Sequence, residues 1–457
     1  MAIEVRVRTI NRKEDSMSYA RNLSHVNRIL IVGAFFVLSL MSSLCAESSS
    51  PRYIFLFIGD GMGFEQVRLA DEALKERDGS QTRMTRLPVT GQIRTHSANN
   101  KVTDSAAAGT ALACGVRTDN GRIGQLPDGT PVEPVSLKLL KEGMMIGILT
   151  SVTANHATPA PYFSHAGNRR EYESIAMQFI GSGVHFLAGR GLAGGSDVND
   201  RVISAYRESG IAVVTNFTNV TDVPKEQRMA LLVPSVGSPK QQQGDLADAT
   251  ALAIERMKDN PAGFFMMIEG GAIDWVCHAN QGWACVEETL AMDRAVEVAY
   301  NFYLQNPENT LIVITADHET GGLSVDGEKL DLPMLKHIER QRRLFDAAIP
   351  DEIDMLTMDA VMNAIREYLG ITEITEDQLT SLEDAVKKEN RYDLVRLAVN
   401  VAQTAAGITW STGGHTGVDV PVYAIGAGAE RFRGTYDITH IPVKLFEAAV
   451  GRVLFTE

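Results

Sequence analysis

The sequence predicts an α/β protein of three layers, with helices on both sides of a largely parallel central sheet. Three observations predict it. Residues 53–58, 263–268 and 310–315 are continuous apolar runs of strand length, the pattern of strands buried on both faces. Stretches of helical periodicity separate them, as the crossover connections of a parallel sheet require. Each run then delivers acidic or imidazole side chains: Asp60 after the first, Glu269, Asp274 and His278 after the second, Asp317 and His318 after the third. The C-terminal ends of parallel strands are where open α/β sheets place their ligands.

Taken in order, the chain of 457 residues opens with a segment expected to be a leader rather than fold. Arg21 and Arg28 precede an apolar run, 29–41, of signal-peptide length and short for a membrane span; Ser42, Ser43 and Ala46 follow it. Residues 1–46 are therefore assigned to export, periplasmic or extracellular, with no stable membrane insertion after cleavage. They hold six Arg/Lys and three Asp/Glu, so removing them takes the formal net charge from −14 to about −17. A body so acidic argues against nucleic acid as a charge-bound partner. Any phosphate site must supply its own positive charge. Of the four cysteines, Cys114, Cys277 and Cys285 would remain, and the spacing of the last two allows either a short bridge or two buried thiols, with free thiols favoured.

The first strand, 53–58, ends in Asp60-Gly61-Met62-Gly63, and a helix is expected from about Phe64. The polar step Thr103-Asp104-Ser105 runs into small residues of good helix propensity. This places Ser105 at or near a helix N-terminus, where free N–H groups favour an anion. Gly109 lets that helix press closely on what lies beneath. Further strands are expected at 145–152, 211–214 and 229–233, with helices at about 172–180, 246–257 and 285–304, and an exposed loop at 234–244. The loop 153–160 carries His156 and Thr158, and Arg169 follows it. Between 331 and 406 the composition changes: Gly370 is the sole glycine, and apolar residues recur at helical spacing. Thr375 with Gln378 makes a capping box. This stretch reads as a helical insertion, 331–406, in a core made of 47–330 and 407–457. The core resumes with the loop Gly413-Gly414-His415-Thr416-Gly417 and a strand at 420–425.

Asp60, Glu269, Asp274, His278, Asp317, His318 and His415 are oxygen and imidazole donors at strand ends or in glycine-flanked loops. That mixture suits zinc, with magnesium where oxygens dominate.

At this point the sequence closely resembles the alkaline phosphatases. The matching pieces are Phe57-Ile58-Gly59-Asp60-Gly61-Met62-Gly63, Thr103-Asp104-Ser105-Ala106-Ala107, Ala157-Thr158-Pro159-Ala160 with Arg169, Glu269-Gly270-Gly271-Ala272-Ile273-Asp274 with His278, Thr315-Ala316-Asp317-His318 and Gly414-His415-Thr416-Gly417. They span about residues 53–426 and do not cover 331–406. The resemblance implies hydrolysis of phosphate monoesters with two zinc ions and one magnesium ion. Asp274, His278 and His415 would hold the first zinc. Asp317, His318 and Asp60 would hold the second, beside the nucleophile Ser105. Asp60, Thr158 and Glu269 would hold magnesium at a third site that also admits zinc. Arg169 would grip the phosphate, and a phosphoserine would form and be hydrolysed. His156 and Trp275 stand where the best-known bacterial pattern has Asp and Lys, which touches the identity of the third metal and the strength of phosphate binding. A homodimer is compatible with this picture.

Two other activities compete. Diesterase relatives generally lack the third metal site and this arginine, whereas Thr158, Glu269 and Arg169 are all present. Sulfatases need a Cys- or Ser-x-Pro-x-Arg sequence, which Ser105-Ala106-Ala107 is not. A third reading, an exported metal- or phosphate-binding protein without catalysis, stays open, with Ser105 arguing against it.

Overall fold

A computed structural model describes residues 50–233, 244–353 and 356–451. The expected leader and nearly all of the expected loop 234–244 lie outside the described residues. The strands are β1 (Tyr53–Gly59), β2 (Val89–Arg94), β3 (Met145–Thr150), β4 (Phe186–Gly189), β5 (Ala212–Val214), β6 (Met229–Leu232), β7 (Phe264–Gly270), β8 (Thr310–Ala316), β9 (Glu319–Thr320), β10 (Leu323–Val325), β11 (Ile408–Trp410), β12 (His415–Thr416), β13 (Val420–Gly426) and β14 (Gly434–Asp437). Ten of them form one sheet in the order β14-β2-β13-β8-β1-β7-β3-β4-β6-β5. Only β13 runs antiparallel to its neighbours, β8 and β2. The sheet is therefore largely parallel, as expected. Every residue of β1, β7 and β8 is buried. Because successive side chains point to opposite faces, both faces of the sheet centre must be covered.

The helices before the insertion are α1 (Phe64–Asp78), α2 (Ser105–Cys114), α3 (Val135–Lys141), α4 (Tyr172–Ser182), α5 (Ser196–Glu208), α6 (Leu246–Met257), α7 (Ala272–His278) and α8 (Gly282–Gln305). There follow α9 (Leu332–Ala348), α10 (Met358–Ala364) with a π-helical turn over Ile365–Leu369, α11 (Glu376–Lys387), α12 (Arg391–Ala405) and α13 (His440–Val450). Consecutive helices thus occupy the glycine-poor stretch, and both hydrogen bonds of the Thr375/Gln378 capping box form at the start of α11. No helix among the described residues is long and apolar enough to cross a membrane.

Two features depart from the sequence expectations. Residues 272–278, expected as part of a ligand-bearing strand end, form the short helix α7, so Asp274 and His278 fall one turn apart on the same face. Strands β2, β4 and β14 and helices α3, α5 and α13 were not anticipated. The reason is visible in β2, Val-Thr-Gly-Gln-Ile-Arg, which has no unbroken apolar run and no clean alternation.

Strand order positions the site. β1 lies between β8 and β7, with Gly59 opposite Ala316 on one side and Gly270 on the other. Asp60 and Asp317 therefore leave adjacent strands at the same level, and Glu269 lies two residues below them, inside β7 opposite Ile58. Asp60-Gly61 needs Gly61 for two reasons. Its φ is +75°, and a Cβ there would come within 2.9 Å of the Asp274 backbone and the Thr320 hydroxyl. The three cysteines Cys114, Cys277 and Cys285 are free and buried, and the last two place their sulfurs 3.6 Å apart.

Candidate active site

α2 begins at Ser105. Asp104 is its N-cap, accepting from the Ala107 N–H and, through its other oxygen, from the Gly121 N–H. The helix is buried along its whole length, and Gly109 allows it to lie against the Ala157–Thr158 backbone; a Cβ there would be 3.1 Å from Thr158. Ser105 is thereby fixed below the surface, with its Oγ 3.3 Å from His318 Nε2.

Asp60, Glu269, Asp317, His318 and Thr158 are completely buried, and Asp274 is nearly so. His318 Nε2 lies 3.4 Å from Asp60 Oδ1 and 3.3 Å from Asp317 Oδ2. Thr158 donates to Asp60 Oδ2 at 3.4 Å. On the other side, His278 Nε2 is 3.3 Å from Asp274 Oδ2 and 3.1 Å from His415 Nε2. The Nδ1 atoms of these two imidazoles sit 2.7 Å from the Gly413 carbonyl and 2.9 Å from the Thr103 carbonyl. A carbonyl can only accept, so both Nδ1 atoms carry a proton, and each ring when neutral presents an Nε2 lone pair. Two such lone pairs 3.1 Å apart repel unless a metal ion lies between them or one ring is protonated, as Asp274 favours for His278.

Among the described residues, donor groups of metal-binding spacing recur three times: Asp60 with Asp317 and His318, Asp274 with His318 and His415, and Asp60 with His156 and Glu269, each set within 4.8 Å. The second set contains His318 where the sequence reading has His278. His318 stacks on His415 with ring centroids 3.6 Å apart, while its Nε2 lies between Asp60 and Asp317 and faces Ser105. We therefore group His318 with those two aspartates and leave His278 with Asp274 and His415. The third set brings in His156, whose buried Nδ1 has no hydrogen-bond partner among the described residues.

The electrostatics also favour cations. Burial, reinforced by Asp317, Asp274 and Glu269, pushes the Asp60 carboxyl well above its usual range; burial and Asp274 do the same to Asp317. Burial raises Glu269 to about 7. Burial, with Arg169 adding to it, lowers His156 to about 4. Asp60 Oδ1, Glu269 Oε1 and Asp317 Oδ2 accept no hydrogen bond from any described residue. Buried carboxylate oxygens left unpaired are costly, and divalent cations remove that cost.

This gives a signed expectation for the metal-free protein. Glu269 has an ordinary value of 4.5 and a folded value of about 7, so its stabilising contribution is complete below pH 4.5 and disappears as pH rises through 7. Asp60 and Asp317 shift in the same direction. Chelated protein should become less stable to denaturant between pH 5 and 7.5, and Glu269→Gln should flatten that decline. Equal slopes for the two proteins would remove Glu269 from the cluster.

Arg169 reaches the site from the loop ahead of α4. Its Nη1 pairs with Asp104 Oδ2 at 3.1 Å, and its Nη2 lies 3.4 Å from His156 Nε2. Trp275 is 42% exposed and meets His156 edge-on, with centroids 6.1 Å apart. All the residues singled out from the sequence thus gather around the C-terminal ends of β1, β7 and β8. Several that hold them in place were not anticipated. Thr320 donates to Asp274 Oδ1 at 2.6 Å and lies 3.2 Å from His318 Nδ1. Thr150 hydrogen-bonds Glu269 from the neighbouring strand. Asp104 anchors Arg169. The one available signal was position: Thr320 follows His318 by two residues, and Thr150 ends a buried strand.

A family model described as alkaline phosphatase matches residues 51–185 and 227–450, most of the chain. The chain belongs to the alkaline phosphatase family. The match includes residues 331–406, which the short motifs do not reach, and leaves out 186–226. Among curated relatives, alkaline phosphatase 4 of Bacillus subtilis is 30% identical over 414 residues, covering 86% of this chain and 87% of that protein. The alkaline phosphatase of Schizosaccharomyces pombe is 27% identical over 433 residues, with 85% and 80% covered. The cold-active alkaline phosphatase of a Shewanella species superposes with a TM-score of 0.72 at 28% identity, covering 87% of this chain and 99% of that one. The Thermus thermophilus alkaline phosphatase gives 0.70 at 25% identity, with 89% and 94% covered. The chain is a phosphatase. The alkaline phosphatase family is metal-dependent, the donor groups above are candidates to bind metal, and phosphate monoesters fit that family as substrates.

Proposed function

We propose that the protein hydrolyses phosphate monoesters by double displacement through a phosphoserine on Ser105. Asp274, His278 and His415 would hold one zinc ion, and Asp60, Asp317 and His318 a second. Asp60, Thr158 and Glu269 would hold magnesium, in a site that His156 opens to zinc as well. The observation that carries the reading is Ser105 Oγ within 3.3 Å of His318 Nε2, beside buried carboxylate oxygens that no donor among the described residues satisfies. A solved variant of the alkaline phosphatase of the bacterium TAB5, in which glutamate replaces a histidine, is 26% identical with a TM-score of 0.66 and holds magnesium in a site called M3, so a protein of this fold can bind magnesium at such a site. Bound at these positions, the metals supply Lewis-acid stabilisation of the serine alkoxide and of the departing oxygen.

The residues do the rest. Asp104 fixes both the start of α2 and the guanidinium of Arg169, so nucleophile and anion grip keep a constant separation. Arg169 orients two non-bridging oxygens of the phosphoryl group. The Ser105 oxygen attacks phosphorus as the bond to the leaving alkoxide breaks, and the positive end of the α2 dipole favours the anion there. Water then displaces Ser105 and releases inorganic phosphate. The expected leader, residues 1–46, would place this chemistry outside the cytoplasm.

Nitrophenyl phosphate and bis-nitrophenyl phosphate separate the readings. The monoester should turn over far faster at alkaline pH; a preference for the diester would overturn the assignment, and turnover of neither would mark a binding protein. Arg169→Ala should weaken inhibition by inorganic phosphate by about 10²-fold, the loss of a charge-assisted bidentate contact worth roughly 2–3 kcal/mol. Metal content should stay unchanged. Unaltered phosphate inhibition would remove Arg169 from the site.

A further inference from the structure

Helix α12 of the glycine-poor stretch turns one row of polar side chains onto the two loops that carry His278 and His415. Tyr392, Arg396, Asn400 and Gln403 recur at helical spacing along it. The Tyr392 hydroxyl donates to the His278 carbonyl at 3.1 Å. Arg396 Nη1 donates to Asn280 Oδ1 at 2.7 Å, while its Nε and Nη2 are tied to Asp393. Gln403 Nε2 donates to the Asn280 carbonyl at 2.6 Å, and its Oε1 accepts from the Gly282 N–H at 2.7 Å. Asn400 donates to the Trp410 carbonyl at 3.1 Å.

Asn280 is where these contacts converge. It is completely buried and has φ of 49°, one of two non-glycine residues in the left-handed region among those described. Its Nδ2 donates to the Cys277 carbonyl at 3.0 Å and to the Thr412 carbonyl at 2.9 Å, joining the His278 loop to the His415 loop. The Arg396 guanidinium also lies against Gly413, where a Cβ would be 3.1 Å from Nε, and the Gly413 carbonyl is the group that orients His278 Nδ1.

We infer that α12 positions the first metal site: Arg396 and Gln403, acting through Asn280, and Tyr392, acting on the His278 carbonyl, hold the His278 and His415 segments at the spacing that one ion requires. This rests on the reading that Asp274, His278 and His415 hold a metal. An insertion that merely packed on the core would use apolar contacts. Here the buried Gln403 and the part-buried Arg396 meet the buried Asn280 through directional hydrogen bonds, and Asn280 ties the two segments together, an arrangement that specifies geometry. Groups that orient metal ligands typically change affinity by about 10–100-fold when removed.

The test uses zinc-loaded full-length protein and follows release of each zinc equivalent to a chromogenic chelator, at a temperature where every variant is folded. Asn280→Gly keeps the left-handed backbone and removes only the side-chain links; Arg396→Gln removes the cationic reach from α12. Each should release one equivalent about 10–100-fold faster than wild type while the remaining metal is retained. Leu382→Ala, which empties a buried position of α11 without touching either loop, should release zinc at the wild-type rate. Acceleration below about tenfold in both loop-link variants, or equal acceleration in Leu382→Ala, would overturn the inference. His278→Ala distinguishes the two levels: if it too retains its zinc at the wild-type rate, the metal assignment has failed rather than the role of α12.

Discussion

Ser105→Ala is expected to abolish phosphoenzyme trapping and to lower turnover by about 10³-fold or more, as removal of a covalent nucleophile does, while metal content and thermal stability stay near wild type. The side chain contributes little to the fold. It is one oxygen at the first turn of α2, and the cap of that helix belongs to Asp104, which keeps its bonds to the Ala107 and Gly121 N–H groups in the variant. Alanine also has the higher helix propensity. What is lost is the oxygen 3.3 Å from His318 Nε2. Acid quenching with labelled phosphate, which reports the covalent species directly, is the decisive measurement. A labelled Ala variant would put the nucleophile elsewhere and end the double-displacement reading.

Asp60→Asn should have two effects of opposite sign. Asp60 is shared by two of the three donor groups, so its amide variant should lose tight binding at both and fall at least about 10²-fold in activity. In the metal-free state the same change removes a carboxylate that burial and the neighbouring acids already disfavour. Chelated Asp60→Asn should therefore melt above chelated wild type at neutral pH, and the order should reverse when zinc is added. A residue that was merely structural would melt lower in both states. If chelated Asp60→Asn is the less stable protein, the buried-charge account of the site is wrong.

Much of the candidate site was legible before any coordinates because its parts obey local rules. An unbroken apolar run of strand length signals two-sided burial, and Asp60, Glu269 and Asp317 stand directly at the ends of such runs. The Thr-Asp-Ser step ahead of small residues signals a helix start. The short motifs then tied these pieces to one family. The helix α7 was harder to see. Residues 272–278 are too few for periodicity to reveal, yet that turn sets Asp274 and His278 one above the other. The strands β2 and β14 were hidden because they are short or unpatterned and only partly buried, so neither carries an apolar run or a clean alternation.

By itself the sequence determined which donors exist, which strands carry them and where Ser105 enters a helix, because hydrophobic periodicity and capping act over a few residues. Tertiary structure alone decided how those donors are shared out. The order β8-β1-β7 sets three carboxylates side by side. The pairing of Asp104 with Arg169 joins positions 65 residues apart, and the contact of Arg396 with Asn280 joins positions 116 apart. No local propensity encodes such contacts. They exist because a buried polar group must find its partner wherever packing has left one, and that choice is made only when the whole chain is folded.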